Sequence, residues 1–427
     1  MREMKDSGVE WIGKIPKEWH ITQTRRLFRN EKNIVGDAAD EYERLALTLK
    51  GVIKRSKNDS EGLQPEKFEG YQILRKNELV FKMIDLENVN TSRVGLSPYT
   101  GLVSPAYIVL KNDSDDNRYE YYWFMSMYYN EVFNHLGGDG VRSALNVKDM
   151  LSLPIPNISK IQKKMLADYL DAKCSKIDEI IEKQQAIIEK LKAYKLSIIT
   201  EGVTKGLKHN VKMKDSGVRF VDTIPYDWEN RKMITILSTR VVDGPHESPE
   251  LYDTGIPYIS ATAIVNGKID FSLMRGYISK EYCEICDKRY SPQRGDLLVV
   301  KLGASTGQVA IVDTDERFNI WVPLAAVRCN DEALPKFVYY VFQSDYFVRQ
   351  MELSWTFGTQ QTLGVQTIEK LRILLPPIAE QREIVKFLDT IYDNVGSKIE
   401  NVEKMIEKLE EYKKSLIYEV VTGKKEV

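Results

Sequence analysis

Apolar residues recur at alternating three- and four-residue steps between residues 162 and 206. Ile177, Ile180, Ile187, Leu191, Tyr194 and Ile198 carry the pattern, and Gln184 takes one step of the same series. That spacing is the a/d seam of a long helix that packs against another helix. No Pro or Gly interrupts the stretch before Gly202. From Gln162 to Thr200 it predicts a rod of roughly 55–60 Å, at about 1.5 Å per residue. A second seam runs between Gln381 and Thr422 through Val395, Lys398, Val402, Met405, Leu409, Tyr412 and Leu416. Either stripe alone would face water, so the two predict an antiparallel pair around a pseudo-twofold axis.

The pairing follows from a repeat. Met4-Lys5-Asp6-Ser7-Gly8-Val9 returns as Met213-Lys214-Asp215-Ser216-Gly217-Val218, and Ile15, Pro16 and Trp19 return as Ile224, Pro225 and Trp228, all at an offset of 209. Further on the offset is 218: Pro105 matches Pro323, Gly140 and Leu145 match Gly358 and Leu363, and Tyr194-Lys195 matches Tyr412-Lys413. Two copies of one long unit are too large for a solenoid. The last residues also lead back toward the first, since VTGKKEV at the C-terminus takes up the linker pattern that MREMKDSG continues.

Between the rods the pattern is mixed. Gly295–Lys301, Gln308–Val312 and Ser104–Leu110 predict short apolar strands. Tyr119–Leu136 and Lys336–Leu353 predict aromatic-rich amphipathic helices at equivalent places. Pro154-Ile155-Pro156 and Pro376-Pro377 mark the entries to the long helices. The fold class is α+β: two pseudosymmetric domains of mixed α/β character with short strands, joined by two long helices in an antiparallel coiled coil. Boundaries follow at 1–157 and 223–377 for the domains, 158–204 and 378–427 for the helices, and 205–222 for the linker.

Composition narrows the class. The chain has 427 residues, of which 43% are hydrophobic and 29% charged, enough for real cores in more than one domain. No apolar run is long enough to span a membrane. The first residues carry no export pattern, and four cysteines make no disulfide framework, so a cytoplasmic location is expected. The formal net charge of −1 argues mildly against a nucleic-acid binder unless charge is unevenly distributed.

Catalytic chemistry is hard to find. Cys283 and Cys286 have CxxC spacing, but a paired set of further ligands is lacking, and small buried thiols are the simpler reading. Leu302-Gly-Ala-Ser305-Thr306-Gly307-Gln308 lacks the spacing and the lysine of a phosphate cradle. Metalloprotease and serine-hydrolase motifs are absent. Polar loops are better candidates. Arg142, Ser143 and Asn146 follow a glycine-rich run, and Thr359, Gln360, Gln361 and Thr362 occupy the matching place in the second copy. Arg suits guanine edges, and Gln or Asn suits adenine edges. An ordinary glycine-rich turn capped by its own side chains fits the same residues equally well. Lys82, Lys301, Ser305 and Thr306 complete the candidate set. Lys205, Lys208, Lys212 and Lys214 form a basic run, suited to phosphate contact or simply a solvated linker.

Several motifs, twice in the same order, resemble the specificity subunits of type I restriction–modification systems over nearly the whole chain. Gly13-Lys-Ile15-Pro16-Lys-Glu-Trp19 and Thr223-Ile224-Pro225-Tyr-Asp-Trp228 look like that family's entry to a target recognition domain. Val103-Ser104-Pro105-Ala106-Tyr107 is similar to one recognition-domain subtype, and Gly295-Asp296-Leu297-Leu298 with Gly303–Gly307 to another. Pro376-Pro377-Ile-Ala-Glu380-Gln381-Arg382-Glu383 resembles the start of the family's helical region, which Ile158-Ser-Lys-Ile-Gln162 departs from in lacking the double Pro and the Glu-Gln pair. The resemblance implies a non-catalytic subunit in which each domain reads half of a split DNA target. The paired helices would set the spacing and dock two methyltransferase subunits. S-adenosylmethionine would belong to those partners, with restriction subunits joining them, and this chain would hold no cofactor, metal or membrane contact of its own. A coiled-coil adaptor without a DNA role is the alternative reading.

Overall fold

Both long apolar patterns fold as uninterrupted helices. The computed structural model describes residues 2–58, 67–84, 93–134, 144–357 and 360–427. In chain order the helices are α1 (Arg118–Tyr129), α2 (Val147–Ser152), α3 (Lys160–Lys205), α4 (Lys280–Asp287), α5 (Pro335–Gln343), α6 (Asp345–Leu353), α7 (Val365–Lys370) and α8 (Ile378–Val421). α3 has 46 residues and α8 has 44. No helix among the described residues is long and apolar enough to cross a membrane.

The buried stripe of α3 corrects the predicted seam. Leu170, Cys174, Ile177 and Ile188 are buried, and Ile181, Gln184, Leu191, Lys195 and Ile198 are half-buried, in alternating four- and three-residue steps. Ile180, Ile187 and Tyr194 lie off that stripe, 42%, 41% and 50% exposed. On α8, Val395 and Leu416 are buried and Val402 and Leu409 half-buried, whereas Met405 and Tyr412 are about half exposed and Lys398 is exposed.

The chain divides into two units, Met1–Gln184 with Glu403–Val427, and Gln185–Val402, so each contains part of both long helices. This partition crosses the linear boundaries expected above.

In the first unit a four-stranded sheet has the order Gly51–Arg55, Arg44–Thr48, Gly101–Val103, Gln72–Leu74. A three-stranded antiparallel sheet has the order Ile108–Leu110, Leu79–Phe81, Val94–Leu96. The predicted strand 104–110 is therefore shorter. Residues 104–107 turn, with Tyr107 N donating to Ser104 O at 3.1 Å, and only Ile108–Leu110 joins a sheet. The predicted helix 119–136 stops at Tyr129, where Asn130 N caps Ser126 O. α1 buries Tyr119, Tyr122, Trp123, Phe124 and Met127 against Leu166 and Leu170 of α3 and Ile417 and Val420 of α8. Polar contacts fix this arrangement. Tyr119 Oη donates to Val421 O at 2.8 Å, Arg118 Nη1 pairs with Asp171 at 2.5 Å, and Lys413 Nζ of α8 lies 2.6 Å from Asp178 of α3.

In the second unit a four-stranded sheet has the order Val242–Asp243, Leu324–Val327, Leu297–Val300, Val309–Ile311. Its two central strands are buried at every residue, as strands covered on both faces must be. The predicted helix 336–353 breaks into α5 and α6 at Ser344, whose backbone is extended (ψ 147°) and whose hydroxyl donates to Val341 O at 2.6 Å. Here α3 and α8 run antiparallel: as numbers fall along α3, through Gly202 and Lys195, they rise through their α8 neighbours, Leu388 and Tyr392.

Candidate nucleic-acid interface

The polar loop of the second unit grows out of the buried strand Leu297–Val300. Leu363 N donates to Lys301 O at 2.8 Å, Gly303 N donates to Gln361 O at 3.1 Å, and Leu302 bridges Thr362. These bonds stitch loop 302–308 to the hairpin of Thr356–Phe357 and Gln361–Thr362. The stitching brings Ser305, Thr306, Gln360, Gln361 and Thr362 to one edge. Gln360 is exposed, and Ser305, Gln361 and Thr362 are half-buried. Thr306 turns inward, its Oγ1 donating to Gly303 O at 2.6 Å and to Gln361 O at 3.3 Å.

Lys301 is also held inside the fold. Its Nζ lies 3.0 Å from Asp243 Oδ2, and both side chains are only 9% exposed. Asp243 accepts from Arg289 as well, and His246 Nε2 is 3.1 Å away. Burial alone would raise the Asp243 carboxyl, but Lys301, His246 and Arg289 hold it below the ordinary carboxylate range. The Lys301 ammonium is thereby engaged in an ion pair beneath the loop. Sequence reasoning missed Asp243, Arg289 and His246, because residues so far apart in the chain leave no local pattern.

The first unit repeats the stitch with other residues. Leu145 N donates to Met83 O at 3.0 Å, the counterpart of Leu363 and Lys301 under the offset of 218. Asn146 caps α2. Its Oδ1 accepts from Lys148 N at 2.8 Å and Asp149 N at 3.1 Å, and Asp149 returns the bond to Asn146 N, a reciprocal capping box. Lys82 is half-buried, with its backbone N–H on Arg93 O at 3.0 Å. Arg142, Ser143 and Thr359 lie outside the described residues. Of the basic run, Lys212 and Lys214 stand over the exposed ring of Tyr226 at 4.4 Å and 5.4 Å, and Lys205 and Lys208 are exposed.

Neither edge carries a recognisable catalytic constellation among the described residues. Cys283 and Cys286 lie on α4, buried, with Cys283 packed among Tyr258 and Ile278. No group of three potential metal ligands converges among the described residues.

Comparison with known proteins finds one family among the sequence matches and a solved chain that shares the fold. Residues 225–411 match the family described as Type I restriction modification DNA specificity domain. The type I restriction enzyme EcoBI specificity subunit of Escherichia coli is 25% identical over 271 residues, which cover 61% of this chain and 56% of that protein. The aligned part thus spans little more than half of that relative. The Methanocaldococcus jannaschii protein assigned as the MjaX specificity subunit is 22% identical across 97% of this chain and 95% of its own length. A chain solved in work on complex assembly and conformational transition of the type I R-M system shares the fold, with a TM-score of 0.67 at 14% identity, over 95% of this chain and 98% of that one. In sequence the chain is thus similar to type I restriction–modification specificity subunits, through the family match over residues 225–411 and through relatives at 22% and 25% identity.

Proposed function

We propose that this chain is the non-catalytic DNA-reading subunit of a type I complex, each recognition domain binding one half of a bipartite target. One observation carries the reading. The Leu145–Met83 and Leu363–Lys301 bonds hold equivalent loop edges, yet the side chains around them differ, with Asn146 in one unit and Gln360, Gln361 and Thr362 in the other. One scaffold used twice with different polar groups suits two unlike half-sites on a duplex.

In this reading the paired α3 and α8 set the distance between half-sites and dock two methyltransferase subunits. S-adenosylmethionine belongs to those subunits, and restriction subunits join the complex. The partners also supply part of the phosphate contact, which makes the net charge of −1 tolerable. Mapping methylated adenines in cells that carry this chain with its methyltransferase tests the reading. A split, asymmetric motif is expected, and methylation without a split motif overturns it. A gel shift of the complex at low salt separates it from a coiled-coil adaptor, which would show no DNA affinity.

A further inference from the structure

Tyr122 donates to Asp171 in the first unit, and Tyr340 donates to Asp389 at the equivalent place in the second. What lies beside these two bonds differs. In the second unit Tyr392 follows Asp389 by one step of three, and the Lys195 ammonium sits 3.1 Å from its ring centroid. The Tyr392 hydroxyl donates to Asn266 O at 3.2 Å and lies 3.3 Å from the Tyr339 hydroxyl. Asn266 and Gly267 form the tip of the hairpin Ile264–Val265/Lys268–Ile269, both with positive φ (51° and 77°). The second unit thus fills the wedge beside its Tyr–Asp bond with a tyrosine ring, a cation and the backbone of a turn.

In the first unit Cys174 stands where Tyr392 stands in the second, and the wedge is an open groove of about 470 Å³. Its lining includes Tyr121, Tyr129, Cys174, Glu179 and Glu182. Lys413, the counterpart of Lys195, pairs with Asp178 at 2.6 Å instead of covering a ring. Glu179 and Glu182 are exposed, three residues apart on one helix face, and make no ion pair among the described residues. The Tyr121 and Tyr129 hydroxyls donate no hydrogen bond among the described residues. Burial, with Cys174, Asp178 and Asp171, pushes the Tyr121 phenol up to about 12, so it is a neutral donor at physiological pH.

We propose that this groove receives an arginine side chain presented by a turn of a partner protein, the guanidinium lying on Tyr121 and Tyr129 and pairing with Glu179 and Glu182. Charge complementarity selects a cation. Flat aromatic walls beside two carboxylates favour a guanidinium, which stacks and forks at once, over a compact ammonium. The filled wedge of the second unit shows a turn backbone accepting from one tyrosine hydroxyl, that of Tyr392, and the free Tyr121 and Tyr129 hydroxyls can offer a bond of the same kind. The partner is the methyltransferase subunit, an assignment that rests on the docking role proposed above.

Two variants of the full chain test this. Glu179→Gln/Glu182→Gln removes charge at exposed positions, and Cys174→Tyr installs the residue that the second unit already accommodates. Binding of each to the methyltransferase subunit is measured by sedimentation, with thermal melts as the folding control. The double variant is expected to weaken assembly about tenfold, the equivalent of about 1.4 kcal/mol, and Cys174→Tyr by more. Acetyl-arginine amide is expected to shift the tyrosine ring NMR signals of the wild-type chain and not those of Cys174→Tyr. Unchanged assembly by both folded variants overturns the proposal. A ring shift with unchanged assembly also overturns it, because the groove then takes only free cations. If the wild-type chain binds no methyltransferase subunit, the docking reading itself fails and the partner named here falls with it, while the ring shifts still report whether the groove takes a guanidinium.

Discussion

Gly206 ends α3 against the indole of Trp228. Its φ is +72°, and a Cβ added there would stand 3.2 Å from Trp228 Cζ2 and 2.8 Å from Glu380 Oε1. The repeat closes the same way at the other end of the chain. Gly423, at φ +70°, ends α8 beside Trp19, and a Cβ there would run into Pro16. Each long helix therefore stops in a left-handed residue that only glycine adopts without strain, pressed onto the tryptophan of an entry hairpin.

Gly206→Ala is expected to cost about 1–3 kcal/mol, combining left-handed strain with crowding of the indole. Gly423→Ala should cost at least as much, since proline cannot move aside as the Glu380 side chain can. Urea unfolding of the two variants against wild type measures both. A neutral result at Gly206 would mean that the helix end is not held against Trp228.

The phase of the helix pair gives a sharper test. Ile188 is 7% exposed and its neighbour Ile187 is 41% exposed. Ile188→Ala should destabilise by about 2–4 kcal/mol through lost burial and the cavity left behind. Ile187→Ala should stay within about 1 kcal/mol as a surface change. Equal costs in thermal or urea unfolding would put the seam back at Ile187.

That pair also explains what the sequence could and could not reveal. The repeat, both rods and the α+β character follow from periodicity and offset alone. The phase of the seam does not, because Ile180-Ile181 and Ile187-Ile188 each offer two apolar positions about 100° apart on the helix. Either choice gives alternating three- and four-residue steps, and only tertiary packing decides. The loops were legible as polar edges, since Gln360, Gln361 and Thr362 come together with Ser305. The inward turn of Thr306 and the pairing of Lys301 with Asp243 were not, because the carboxylate arrives from a distant strand.

The Lys301–Asp243 pair makes stability depend on pH. The folded Asp243 carboxyl titrates below its unfolded value, so the unfolded chain binds more protons as pH falls. The stabilisation is complete above the unfolded carboxylate value of about 4 and is lost as pH drops through the lower folded value. Asp243→Asn should cost about 3 kcal/mol at neutral pH, because it leaves the buried Lys301 without its counter-charge. It should also flatten the acid limb of stability against pH. Urea unfolding between about pH 2 and 7 reads both effects, and an unchanged acid limb would show that other carboxylates carry it.

Gln360 and Gln361 test the proposal that this edge reads DNA. The backbone of Gln361, not its side chain, accepts from Gly303 and Thr306, so truncating either glutamine leaves the stitches of the loop in place. Gln360→Ala/Gln361→Ala should therefore melt like wild type. A glutamine bidentate to adenine is worth about 1–3 kcal/mol of discrimination. The double variant should thus relax or weaken one half of the methylated motif and leave the other half intact. Sequencing methylated adenines in cells carrying the variant complex makes the measurement. Equal loss of both halves with a lowered melting temperature would mean a folding defect. Equal loss with an unchanged melting temperature would mean that these glutamines serve the complex as a whole and do not read one half-site.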